Sequence, residues 1–105
     1  MSAVLEKDGI VQYVDECCGI YIRSVLLQKG ERARQHVHDY DHASYIGSGS
    51  VRMWVNGGFE GVFKAGVAVP IRAGQRHEFE AMEDGTRLAC LHTAASAESV
   101  KRKEL

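Results

Sequence analysis

Short runs rich in Val, Ile, Tyr, Phe and Thr recur along this chain at a spacing of about ten residues, each closed by Gly, Asn or Asp. Eleven glycines and a single proline in 105 residues supply most of the punctuation. β-Branched and aromatic residues suit a pleated, half-buried surface, and no run is long enough for a sustained helical period. The expected strands are residues 10–14, 20–27, 34–38, 43–46, 51–55, 59–63, 67–71, 77–81 and 87–92. Asn56-Gly57-Gly58 between two of them is a hairpin signal, because Asn and Gly accept the positive φ of a type I′ turn. Lys29-Gly30, Ala65-Gly66, Ala73-Gly74 and Asp84-Gly85 mark further reversals. Many short strands at even spacing give an all-β sandwich or barrel. The tail, residues 94–105, differs: it has helix formers and Ser96 as an N-cap, and is expected to form a short C-terminal helix or to fray.

A chain of this length is one domain with a single core, here residues 1–105. Hydrophobic residues at 45% and charged residues at 26% are ordinary for a globular protein. A net charge of −1 gives no electrostatic reason to expect nucleic acid or an anionic membrane as partner. No apolar run approaches the roughly 20 residues of a membrane span, and charges occupy the N-terminus where a signal peptide would be apolar. The expected address is the cytoplasm. Three cysteines, two of them adjacent at Cys17 and Cys18, make no disulfide framework and agree with a reducing compartment.

Three histidines, His36, His38 and His42, stand within seven positions, and a fourth, His77, follows a turn signal. On an extended strand, residues two apart share a face, which puts the Cβ atoms of His36 and His38 roughly 6.6 Å apart. Metal–nitrogen bonds of about 2.0–2.2 Å let two such rings share one ion. His42 joins them if the chain bends at Asp39-Tyr40-Asp41. A histidine-rich exposed strand or a pH-responsive surface remains the alternative from these residues alone.

The spacing G-x5-HxH-x3-H-x6-G from Gly30 to Gly49 resembles the first cupin motif, with His42 where most cupins carry Glu. Gly66-x7-Gly74-x2-His77 resembles the second. Arg72 replaces the usual proline, which appears instead at Pro70, and Ala81 replaces the closing Asn. The resemblance implies a double-stranded β-helix, the jelly-roll cupin barrel, with its core at about residues 30–92. It implies His36, His38, His42 and His77 as ligands of one divalent transition metal ion (Mn, Fe, Ni, Cu, Co or Zn). It also implies a homodimer formed through the N-terminal strands or an exposed sheet, for which residues 11–27, with Tyr13, Tyr21 and Ile22, offer a surface.

Four neutral imidazoles would leave the ion its full +2 charge, which favours anionic chelating substrates such as enolates or carboxylates. By analogy with four-histidine cupins that contain manganese or iron, the expected activity is a metal-dependent oxidoreductase, a dioxygenase acting on a small organic molecule. A redox-neutral isomerase or lyase and a non-catalytic ligand-binding module are the alternatives. Strand parity puts His77 with Phe79, and Leu88 with Cys90 and His92, and turns Glu78 and Glu80 away from His77. Ile46, Trp54, Phe79 and Cys90 are expected to line the pocket, with only one of Met53 and Trp54 pointing inward. Arg72 is a candidate receiver of a substrate carboxylate, with Arg52 beside it. His92, near a strand end, is expected to be exposed or hydrogen-bonded.

Overall fold

The structure, a computed structural model, describes residues 3–7, 10–34 and 37–93. Ten strands account for most of them: β1 (Ala3–Lys7), β2 (Ile10–Cys17), β3 (Ile20–Leu27), β4 (Arg32–Arg34), β5 (His42–Ser48), β6 (Ser50–Val55), β7 (Gly58–Lys64), β8 (Ala68–Ile71), β9 (His77–Ala81) and β10 (Thr86–Thr93). They form a six-stranded sheet in the order β1-β2-β3-β10-β5-β8 and a four-stranded sheet in the order β4-β9-β6-β7. Every pairing is antiparallel. This is the all-β jelly roll that the motifs imply. The expected C-terminal helix falls on residues 94–105, outside the described residues.

Alternation builds the core. In β9, His77, Phe79 and Ala81 are buried while Glu78 and Glu80 face out. Val51 and Met53 of β6 join Phe79 from the small sheet; Val25, Leu27, Leu88, Ile46, Val69 and Ile71 meet them from the large one. On the outer face of the small sheet Arg32 bonds Glu78 and Glu80, each at 3.0 Å, and Arg52 reaches Glu80 at 3.1 Å. Exposed pairs of this kind are worth about 0–1 kcal/mol each, so burial, not charge, carries the fold.

Most expected strands are present with ends shifted by one to three residues, and two departures are larger. The strand expected over residues 34–38 is instead β4, which stops at Arg34. Among the described residues β4 pairs only with β9, from Arg32–Glu80 to Arg34–Glu78, and residues 35 and 36 lie outside them. Val37 and His38 lie past the strand rather than on it. The sequence reading also has no counterpart of β1, which pairs with β2 from Ala3–Val14 to Lys7–Ile10 and forms an edge.

Two turns need their residues. Asn56 (φ 50°) and Gly57 (φ 83°) make the expected hairpin between β6 and β7. Gly49 has φ +75°, and a Cβ there would lie 2.9 Å from Thr86 Cα and Cβ, so only glycine lets β5 turn into β6 against β10.

Candidate metal centre

His42 opens β5, where it pairs with Ile71, and His77 opens β9, where it pairs with Val55. The two strands belong to opposite sheets, so both rings enter the same mouth of the barrel from facing walls. Their centroids lie 5.0 Å apart. His38, on the loop leading into β5, meets His42 edge-on at 5.3 Å. Two imidazoles bonded at about 2.1 Å to one ion, with angles between those of an octahedron and a tetrahedron, have centres roughly 4.6–5.3 Å apart. The observed spacings fall in that range.

Cross-links between loops hold these positions. Gly74 N donates to His38 O at 2.8 Å. Ala73 N donates to Asp41 Oδ1, also at 2.8 Å. The β6–β7 turn is tied to the same loop, with Asn56 N donating to Arg76 O at 2.7 Å and Arg76 N to Asn56 Oδ1 at 3.0 Å. The segments carrying His38, His42 and His77 are thus joined by backbone at the rim. Precision at a site comes from such bracing.

His42 is 8% exposed and His77 1%. Both ring nitrogens of His42 are buried without a hydrogen bond in good geometry; only a weak pull from the Tyr40 backbone favours its charged form. Burial pushes His42 down to about 4, helped by the neighbouring His77, His38 and His92. His77 is likewise pushed down to about 4, by burial and then by His38. Both imidazoles are neutral at pH 7, the form whose lone pair binds a metal. A buried polar atom without a partner costs about 1–3 kcal/mol, which a bound ion would relieve. Among the described residues, no group of three or more His, Cys, Asp or Glu side chains has its donors already gathered in metal-holding geometry. The His38 ring stacks on Tyr40 at 4.9 Å and 25°. His36 lies outside the described residues.

Other residues expected at the site are distributed by face. Ile46 and Phe79 are fully buried, and Phe79 meets the His77 ring edge-on at 5.7 Å. Cys90 is half-buried on the inner face, its Sγ 3.6 Å from Ser44 Oγ, two residues along β5 from His42. Trp54 departs from the expected lining: Met53 takes the inward position, and Trp54 stands on the outer face under the Arg32 guanidinium at 5.0 Å. Arg72 is also outside the cavity, its side chain 72% exposed and 3.6 Å from Asp41. Arg52 points out toward Glu80. Clefts of about 320 and 400 Å³ open on the outer rim around Arg76 and Gly57, and of the histidines only His77 touches one.

Aromatic groups extend the cluster. Tyr40 lies 6.0 Å from His42 and 4.8 Å from His92, and His92 lies 4.9 Å from Tyr21. Burial first, and then the Arg23 guanidinium, hold the His92 proton affinity below its ordinary value, against a bond to Thr93 O at 3.1 Å. His92 is therefore hydrogen-bonded, as expected, and also part of the mouth. Tyr21 faces inward, away from the expected dimer surface. The parity it shares with Val25 and Leu27 is the signal that would have placed it.

A family model described as a cupin domain matches residues 23–93. No curated protein sequence matches the chain. Among solved structures, the fold is similar to KdgF from Halomonas sp. (TM-score 0.71, 17% identity, covering 85% of this chain and 83% of that one). It is also similar to an RmlC-like cupin from Shewanella frigidimarina (TM-score 0.71, 17% identity, 93% and 88%). An oxalate decarboxylase of Bacillus subtilis gives a TM-score of 0.72 at 16% identity, over 88% of this chain and 27% of that one.

Proposed function

The chain belongs to the cupin family, and from that premise we propose that His36, His38, His42 and His77 hold one divalent transition metal ion at which a small organic substrate is oxidised, in the manner of an oxygenase. The observation that carries this reading is His42: buried, neutral and without a good partner for either ring nitrogen, between His38 and His77 at ligand-like spacing. When bound, the ion would supply Lewis acidity and an acidified water. The chain supplies the rest. Phe79 walls the His77 ring, Ile46 closes the floor against water, and the Tyr40 phenol stands where a proton could be passed to a guest.

The experiment is metal analysis followed by dioxygen uptake. Wild-type protein loaded with iron or manganese should consume oxygen with a diketone, phenol or alkene from a panel, and a His36→Ala/His38→Ala variant should hold no stoichiometric ion. An ion-loaded protein inert to oxygen across the panel would remove the oxygenase reading.

The place of Tyr40 beside His38, His42 and His92 also favours a redox-neutral isomerase or lyase, in which a phenol moves the proton. That reading requires equal turnover without oxygen and with zinc. The outer face of the large sheet favours a homodimer. Val11, Tyr13, Ile20, Leu26 and Tyr45 are 36–43% exposed there, on adjacent strands with Ile22, Ala89 and Leu91 between them. A largely apolar face of this kind, broken by Ser24, Asp15 and Arg87, suits a second copy.

A further inference from the structure

Arg23 occupies a place no other described arginine shares. It alternates with Val25 and Leu27, both buried, so its side chain leaves β3 on the inner face of the large sheet. In register it sits beside Cys90, which sits beside Ser44; one step toward the mouth come Tyr21 and His92, and His42 on β5. Arg23 thus stands on the same wall as His42, two strand spacings across and two residues along, roughly 12 Å between backbones. That span is too long for the guanidinium to reach a His42-bound ion and suited to a guest of a few carbons between them.

Charge singles it out as well. Arg32 and Arg52 are neutralised by Glu78 and Glu80, Arg72 by Asp41, and Arg87 lies over the Tyr13 ring at 6.0 Å. Arg23 has no hydrogen bond or ion pair with any described residue. Val14 pairs with it in register on β2, and Glu16, opposite Tyr21, is its diagonal neighbour yet makes no ion pair with it. It remains solvent-accessible although it faces inward. A guanidinium in this position presents a planar fork of donors that matches a carboxylate in two-point geometry.

We propose that Arg23 is the carboxylate subsite of the histidine centre: the guest is a small dicarboxylate or an oxo- or hydroxy-acid, one end at the ion and the other, a carboxylate, on the Arg23 guanidinium, with Tyr21 and His92 as the wall between. This rests on the metal-centre reading and names the substrate class for it. Arg76, the other arginine without an ion pair in the described clefts, has the opposite parity to His77 and belongs to the outer rim.

The test is calorimetric titration of the ion-loaded protein with malonate, with malonamide as the uncharged probe, in wild type, Arg23→Gln, Arg23→Lys and Arg76→Gln. Malonate affinity should fall at least tenfold in Arg23→Gln, recover in part in Arg23→Lys, and stay at the wild-type level in Arg76→Gln. Malonamide should bind wild type and Arg23→Gln alike, and ion content should be equal in all four. Ion-loaded wild type that does not bind malonate, or binds it as well after Arg23→Gln, overturns the assignment. So does a loss of affinity in Arg76→Gln equal to that in Arg23→Gln. Wild type that takes up no ion overturns the metal-centre reading instead, and the two failures are told apart by the metal analysis of the same samples.

Discussion

The rings of His42 and His77 come from opposite sheets and meet with their centroids 5.0 Å apart, both buried and both neutral at pH 7. The His42 position does not favour stability in the metal-free protein, since both its ring nitrogens are buried without a good partner.

A first prediction follows from that cost. Replacing His42 by Leu should raise the stability of the metal-free protein by on the order of 1 kcal/mol, because a buried polar ring without good partners is exchanged for hydrocarbon. The same variant should lose the rise in melting temperature that wild type shows on adding a divalent ion. Thermal denaturation with and without ion reads both effects. A Leu variant less stable than metal-free wild type would mean that His42 has a partner of its own.

The second concerns pH. His42 and His77 titrate near 4 in the folded chain and near 6.5 once unfolded, so between these values the unfolded state binds more protons. Their contribution is fully present above about pH 6.5 and is lost as pH falls toward 4. Urea midpoints of the metal-free protein at pH 7.5 and pH 5 should show the decline, and His42→Leu should show a smaller one. An equal decline in the variant would assign the effect to other groups.

How much of this was legible beforehand depends on which interactions decide each feature. Asn56-Gly57 announces its own turn, since the positive φ is a property of the residues themselves. Met53 against Trp54 is decided by which face meets Phe79 across the ladder, and parity alone names only one of the two. β4 begins at Arg32, ahead of the expected strand, because Arg32 and Ala33 find partners in Glu80 and Phe79 of β9, a tertiary fact with no local signal. Arg72 lies in a loop whose direction comes from its link to Asp41, so strand alternation has no hold on it. Tyr21 and Arg23 were readable in principle, through the period they share with Val25 and Leu27. What hides them is that β3 has a mixed pattern, with Tyr21 and Ile22 adjacent, so its inner face is fixed only by its pairing with β10.

The third prediction tests the wall behind His77. Phe79 is fully buried and edge-on to the imidazole. Phe79→Ala should cost about 3–5 kcal/mol through lost burial and the cavity left behind. Ion affinity should fall with it, because the His77 ring loses the surface that fixes its angle. Chemical denaturation and a metal-competition titration measure the two, and an unchanged ion affinity would show that His77 is oriented by other contacts.

At Gly49, an added methyl group meets Thr86 and the backbone must keep a positive φ. Gly49→Ala should therefore destabilise the protein by more than the approximately 1 kcal/mol expected for the αL conformation alone. Gly57→Ala, at a turn with open space around its Cα, should cost less. Denaturation midpoints of the two variants give the order, and the reverse order would contradict the packing of β10 on the β5–β6 turn.

The most direct test is the metal content of freshly purified protein, measured for wild type and for His77→Ala with folding verified by circular dichroism. Wild type should carry close to one equivalent of a transition metal and His77→Ala close to none, since the His77 ring from the small sheet faces His42 from the large one. A folded His77→Ala variant that keeps a full equivalent would place the ion elsewhere and leave the facing histidines without the role assigned to them.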